Sequence, residues 1–384
     1  MSARLEAAAA ALLDWATRSA FPLWAGAGFD HERCRFEERL TLQGEPVPDA
    51  PIRLMSQARQ IHSYALAARN GWYPSALEFV EKAHASMMRD FYRRDDQQGW
   101  VFSIRRDGSV NDARRDLYAH AFVLLALASH AAATGQDESL AVADETLAFV
   151  DSFMRAPEGG GFVEQLPVTG GVRRQNPHMH LFEALLALWE CSGKAQYSTL
   201  ASEVFDLFAT RFFRPDAGVL GEYFTTSLAP AEGLSGRRIE PGHHYEWIYL
   251  LRWYERLSGH SVQRFVDPLY HHADTFGYDG HGLIVDELLI DGRHHVPSHR
   301  AWPVTEAIRA NILEAACGRP GAADKAAILT EALLNRFLVS RPAGGWMDRL
   351  DETGRAVGGF MPASTLYHVV GALTALCSRT TSPS

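Results

Sequence analysis

The chain has 384 residues, 47% of them hydrophobic and 22% charged, with a formal net charge of -9 at pH 7. That is enough apolar material for a sizeable core, and the acidic balance offers no basic footprint for nucleic acid or an anionic membrane surface. The four cysteines (Cys34, Cys191, Cys317, Cys377) lie far apart with no CxxC pair. Cys191 and Cys377 read as small core hydrophobes, and the set suits a reducing, cytoplasmic location. The alanine-rich opening "MSARLEAAAAALLDW" is interrupted by Glu6 and Asp14, as an amphipathic helix would be and a signal peptide would not. No run of about 20 apolar residues is present to span a membrane.

Taken in chain order, helical periodicity predicts twelve segments, at about 2–19, 51–69, 74–91, 113–134, 137–154, 176–193, 197–212, 241–257, 262–277, 300–317, 320–337 and 360–378. The even-numbered ones are the more apolar, as in "LYAHAFVLLALA", "HLFEALLALWE" and "WIYLLRWYE". The odd-numbered ones alternate charged and apolar residues, as in "SALEFVEKAHASMMRDFYRR". That contrast predicts an inner ring shielded on both sides and an outer ring facing water. Inner segments start about every 60 residues, so the expected fold is all-α: six helical hairpins closed into an (α/α)6 barrel. With no linker or composition break, residues 1–384 read as one domain. Gly- and Pro-rich stretches such as "RAPEGGGFVEQLPVTGG" and "HGLIVDELLIDGRHH" predict short hairpins over one end of the barrel.

The inner segments share polar residues near their starts. The second carries Arg59 and His62, the fourth Asp116, Tyr118 and His120, and the sixth Asn176, His178 and His180. The tenth carries Arg300, Trp302 and Glu306, and the twelfth Tyr367 and His368. In a closed ring of hairpins the inner helices run parallel, so these side chains gather at one barrel end, a pocket of rings and convergent polar groups suited to a sugar. The eighth opens with "EPGHHYEWIYLL", where His243 and Glu246, three apart, share a helix face and His244 points elsewhere. Glu240 sits where it can interact with the helix N-terminus. His62, His120 and His130 read as core histidines. Several further imidazoles in apolar surroundings need partners.

Other chemistries fit less well. No H-E-x-x-H pattern occurs, and adjacent histidines on a helix diverge, so no metal is expected. Glu246, Glu306 and Asp116 are candidates for paired-carboxylate hydrolysis, but the pocket holds more imidazole than that reaction needs. No phosphate-binding or dinucleotide glycine motif is present.

The stretches "RLMSQARQIHSYA", "RRDLYAHAFVLLA", "NPHMHLFEALLAL", "EPGHHYEWIYLL", "RAWPVTEAIRA" and "TLYHVVGAL" resemble, in order and spacing, the N-acylglucosamine 2-epimerase superfamily. "ARQIHSYA" and "DLYAHAFVLLA" look most like its mannose and sulfoquinovose isomerase branch. The resemblance implies an (α/α)6 barrel and cofactor-free, metal-independent proton transfer on a free reducing monosaccharide, by a monomer or homodimer. Carried over, the catalytic histidines fall on His243 and His368, the supporting histidine on His180, the glutamate on Glu246 and the arginine on Arg59. Asn176, Tyr118, Trp302 and Glu306 are the expected substrate contacts. The implied reaction is aldose–ketose isomerisation of D-mannose or a relative such as D-lyxose. The alternatives are 2-epimerisation of an aldose or N-acylhexosamine, and a non-catalytic sugar-binding scaffold. In this reading Glu246 orients His243.

Overall fold

The computed structural model describes residues 2–339 and 342–378. Its helices are α1 (Ala3–Trp15), α2 (Phe21–Ala25), α3 (Leu54–Arg69), α4 (Ala76–Phe91), α5 (Leu117–Thr134), α6 (Glu138–Phe153), α7 (Gln175–Ser192), α8 (Ala195–Leu207), α9 (Pro241–Ser258), α10 (Gln263–Phe276), α11 (Ala301–Ala316), α12 (Ala322–Ala332) and α13 (Thr365–Ser378). Contacts run α3–α5–α7–α9–α11–α13 and back to α3, closing an inner ring. Each of α4, α6, α8, α10 and α12 packs on the inner helix before it, and α1 completes the outer ring against α12 and α13. This is the (α/α)6 barrel.

Burial explains the two rings. Every residue of α5 from Ala119 to Ala131 is buried, because this helix has neighbours on all sides. By length and composition α5 is apolar enough to cross a membrane, which departs from the reading that no such stretch exists. Its burial in the ring accounts for that composition. The outer α4 buries one face only, through Phe79, Val80, Ala83 and Met87. Cys191 departs from the core reading too: it is exposed at the last turn of α7.

Short strands precede the inner helices and set where they begin. Ile52–Arg53 leads into α3, Arg115–Asp116 into α5, Arg173–Arg174 into α7, Arg238–Ile239 towards α9, His299–Arg300 into α11 and Phe360–Pro362 towards α13. The helices predicted from 113 and 360 therefore start later, at Leu117 and Thr365. Arg115 and Asp116 pair with Leu166 and Gln165, and Phe360–Pro362 pairs with Arg39–Thr41. The strands draped over this end make it the roofed end of the barrel.

Candidate functional site

The roofed end carries a ring of alternating charge. Arg53, Asp116, Arg174, Glu240 and Arg300 are the residues flanking the N-termini of α3, α5, α7, α9 and α11 in turn. Three of these positions share one construction. A carboxylate from a neighbouring strand or loop accepts from both the backbone N–H and the Nε of the arginine: Glu38 on Arg53, Glu164 on Arg174, and Asp286 on Arg300. Arg300 also donates to Glu240 at 2.8 Å. Asp116 accepts from Ala119 N–H as the cap of α5. Inside this ring the positive ends of six parallel helices point at a common space, where developing negative charge is favoured.

His243 lies just inside, on the first turn of α9. Pro241 opens the helix, its missing N–H costing nothing there. Gly242 follows because a Cβ would meet the Trp302 ring at 2.6 Å. Trp302 thereby packs close to His243, with ring centroids 4.9 Å apart, and its other neighbour is His368 at 5.7 Å. His243 Nδ1 donates to Glu222 Oε2 at 3.0 Å, and Nε2 lies 3.1 Å from the Asn176 amide nitrogen. Glu222 is itself held by Gln175, whose Oε1 accepts from Trp247 Nε1. Burial lowers the basicity of His243, but Glu222, Glu240 and Glu246 more than offset that and raise its pKa to about 9.

His368, on α13, is built from the same residue types with the opposite outcome. Its Nδ1 donates to Glu306 Oε1 at 2.7 Å, and the other oxygen of Glu306 accepts from Arg309 Nη1 at 2.8 Å. Burial, Arg59, His180 and Arg309 hold His368 well below its ordinary pKa. A third pair lies between them. His180 Nδ1 donates to Glu183 at 3.1 Å, and Tyr367 Oη donates to the same oxygen. Burial dominates at His180 and brings its pKa down to about 4. Arg59 completes the wall: its guanidinium lies 4.1 Å from the Phe122 ring centre and donates to Tyr118 Oη at 2.6 Å.

Two expectations are corrected. Glu246 does not orient His243; its Oε1 is 3.8 Å from His180 Nε2 and has no hydrogen-bond partner. Although Glu246 and His243 share a helix face, the imidazole turns its Nδ1 towards Glu222. Burial and the charges of Glu306 and Glu183 push the Glu246 carboxyl well above its usual range. Glu306 is not a surface for substrate: it has 0% exposure, with one oxygen on His368 and the other on Arg309. By contrast Asn176, Tyr118 and Trp302 remain partly exposed at the roofed end. His243 and His368 keep 4% and 6% exposure. His244 accepts from Leu220 N–H, away from the pocket. His62 and His120 bond Ser129 and the Asp116 carbonyl.

Glu222, Glu183 and Arg309 are the residues that motif reasoning missed. Glu222 sits in a loop 21 residues before its histidine, where periodicity carries no signal. Glu183 and Arg309 were legible as lone charges inside apolar inner helices. The spacing argument against converging ligands is also modified: His180–Glu183–Glu246, Glu222–Glu240–His243 and Glu246–Glu306–His368 each bring three ligand atoms within 4.8 Å of one another.

The N-acylglucosamine 2-epimerase (GlcNAc 2-epimerase) family profile matches residues 35–372. A mannose-6-phosphate isomerase of Rhizobium meliloti (strain 1021) is 33% identical over 373 residues, 94% of this chain and 95% of that one. A D-mannose isomerase of Thermobifida fusca is 27% identical over 332 residues, 77% of this chain and 79% of that one. The solved cellobiose 2-epimerase of Bacillus thermoamylovorans B4167 superposes with a TM-score of 0.87 at 17% identity, covering 97% of this chain and 99% of that one. The chain belongs to the N-acylglucosamine 2-epimerase family, which places it among sugar isomerases and epimerases.

Proposed function

We propose that the protein is an aldose–ketose isomerase that interconverts D-mannose, or a close relative such as D-lyxose, with its ketose. The observation that carries this is the pair of histidine–glutamate units on either side of Trp302, whose surroundings push the His243 pKa up and the His368 pKa down. Neutral His368, its Nδ1–H held by Glu306, presents a free Nε2 lone pair and serves as the base that takes the proton from C2 and returns it to C1. His243, as imidazolium, donates to O1 as the carbonyl is lost, and the proton leaving O2 returns to the same ring. With Nε2 protonated, the Asn176 amide turned by 180° offers Oδ1, which has no other partner. Arg59 and the six helix N-termini offset the negative charge of the enediolate. Histidine suits both roles because its ordinary pKa lies near the working pH.

The proposed chemistry needs no metal. In the three carboxylate–imidazole clusters one oxygen each of Glu183 and Glu222 and both oxygens of Glu306 accept from histidine, tyrosine, glutamine or arginine donors. Arg59 and Arg309 supply positive charge in the same space.

The free sugar is preferred to its phosphate. A dianion entering the mouth would meet Arg53, Arg174 and Arg300, each already paired with a carboxylate. The name of the 33% identical relative favours the phosphate as the second reading. The test is to incubate the protein with mannose and, separately, with mannose 6-phosphate, with and without exhaustive chelation, and to separate the products. Fructose from mannose, unaffected by chelation, is the expected result. Glucose as the main product makes the protein a 2-epimerase. Turnover of the phosphate alone overturns the free-sugar reading. Tight sugar binding without turnover makes it a scaffold.

A further inference from the structure

Arg309 touches none of the partly exposed residues of the pocket, yet it joins the two carboxylates behind it. It rises from α11 with 5% exposure. Nη1 donates to Glu306 at 2.8 Å, and Nη2 lies 3.6 Å from Glu183 Oε1. The Tyr249 ring lies beneath the guanidinium with its centre 3.8 Å from Cζ. On the other side is Gly371 of α13, where a Cβ would stand 3.4 Å from Cζ. The fork is closely packed by a ring and a glycine, which leaves it little room to move.

We infer that Arg309 is a positioning residue that sets how many protons the His368–Glu306 pair holds, and thereby keeps His368 a neutral base. Around His368 stand Arg59 from α3, His180 and Glu183 from α7, His243 and Glu246 from α9, Glu306 and Arg309 from α11, and Tyr367 on its own helix. The helix α1, also packed on α13, exposes Arg4, Glu6 and Asp14 and contributes no charge to this space. Among the described residues, Arg309 is the one cation that hydrogen-bonds the carboxylate that His368 uses. Without it, Glu306 faces Glu183 and Glu246 with no cation on its second oxygen. The pair then binds an extra proton at higher pH, whether that proton resides on the carboxyl or on the ring.

The structure also supplies a way in from behind. A cavity of about 530 Å3 is lined by Arg309, Glu183, Tyr249, Trp253 and Arg256. Its other lining residues include Arg69 and Cys191 from the last turns of α3 and α7, so it lies at the barrel end opposite the mouth. A small solute reaching this cavity meets Arg309 without passing through the sugar site.

The experiment is an NMR titration of the His368 ring in the wild type and in Arg309→Met, paired with pH–rate profiles. The midpoint should rise by about one unit or more, because a charge at this range typically moves a pKa that far. In Arg309→Met, kcat on the acidic limb should fall about tenfold for each unit by which the midpoint rises, with KM within about threefold, and that limb should move to higher pH. Guanidinium at sub-denaturing concentration should restore activity to Arg309→Ala and leave the wild type unchanged. An unmoved midpoint with an unmoved acidic limb in a folded Arg309→Met overturns the proposal. Should that variant fail to fold, Arg309→Lys carries the test. It keeps the charge beside Glu306, so its acidic limb must lie closer to the wild type's than that of Arg309→Ala, and a limb as displaced as that of Arg309→Ala sinks the idea. The kinetic arms rest on the isomerase reading, whereas the ring titration needs no turnover. A protein inert towards sugars whose His368 still shifts would therefore overturn only that reading.

Discussion

The two halves of the pocket, His243 with Glu222 and His368 with Glu306, have the same composition and nearly the same geometry. Each ring gives its Nδ1–H to a buried carboxylate, at 3.0 and 2.7 Å. Their surroundings nevertheless push the two rings' pKa values in opposite directions. Around His243 three carboxylates act together, and the guanidinium of Arg300, which bonds one of them, is also committed to Asp286. Around His368 the one bonded carboxylate is shared with Arg309, and Arg59 adds a second cation. A histidine–glutamate contact therefore does not determine a proton state. The net charge within a few ångströms does, because in a buried site little water is available to screen it.

The bluntest way to break this comparison is to remove either ring. His243→Ala and His368→Ala should each lower kcat by about a hundredfold or more, the usual contribution of a general acid or base, with the helical circular dichroism unchanged. Wild-type turnover in either variant removes that ring from the mechanism.

Glu222→Gln is subtler and tests only the charged half. It keeps a hydrogen-bond acceptor for Nδ1–H and deletes the charge that raises the His243 pKa to about 9. The acid must be protonated to act, so the high-pH limb of the rate profile should move towards neutrality. We expect kcat to fall about tenfold, with KM changed less, since the lost stabilisation concerns the charged ring and not sugar binding. A profile that keeps its high-pH limb would show that Glu222 does not govern the acid.

Glu246→Gln should do less. Burial and the neighbouring Glu306 and Glu183 push its carboxyl towards the protonated form, and a primary amide is close in shape and charge to that form. Turnover should stay within about fivefold of wild type. A loss as large as that of Glu222→Gln would mean that Glu246 works as an anion.

The smallest expected effect is on stability, and its sign differs between the halves. His120 and His180 are held neutral by burial with pKa values of about 4, and His178 with one of about 3, against 6.5 when exposed. Between pH 6.5 and 4 the unfolded chain binds more protons at these rings, so their contribution is present above 6.5 and lost on acidification. His243 runs the other way: raised to about 9, it stabilises below 6.5 and loses that contribution as the pH climbs through 9. Scanning calorimetry should show the melting temperature falling on both sides, with His243→Gln abolishing most of the alkaline fall and sparing the acid one.

Much of this could be read without coordinates. Helical periodicity and the recurrence of apolar segments every sixty or so residues identified the ring, since α5 and its counterparts are buried on every side. The polar residues at the starts of those segments located His180, His243 and His368. Boundaries were less legible. Arg115 and Asp116 continue the helical pattern locally but are drawn into a strand by Leu166 and Gln165, some fifty residues on. Gly242 stood in the quoted motif, but its reason, the Trp302 ring against its Cα, comes from another helix.

The amino-acid order was sufficient for the repeating hairpins, for the parallel inner helices and for the end of the barrel where imidazoles collect, because each follows from local periodicity and chain connectivity. It was not sufficient for which carboxylate meets which histidine, nor for which ring carries a proton. Glu222 reaches His243 from a loop, and Arg309 acts on His368 through Glu306, across two helices. These pairings come from residues far apart in the chain, and buried electrostatics depends on distances of a few ångströms that only the packed barrel sets.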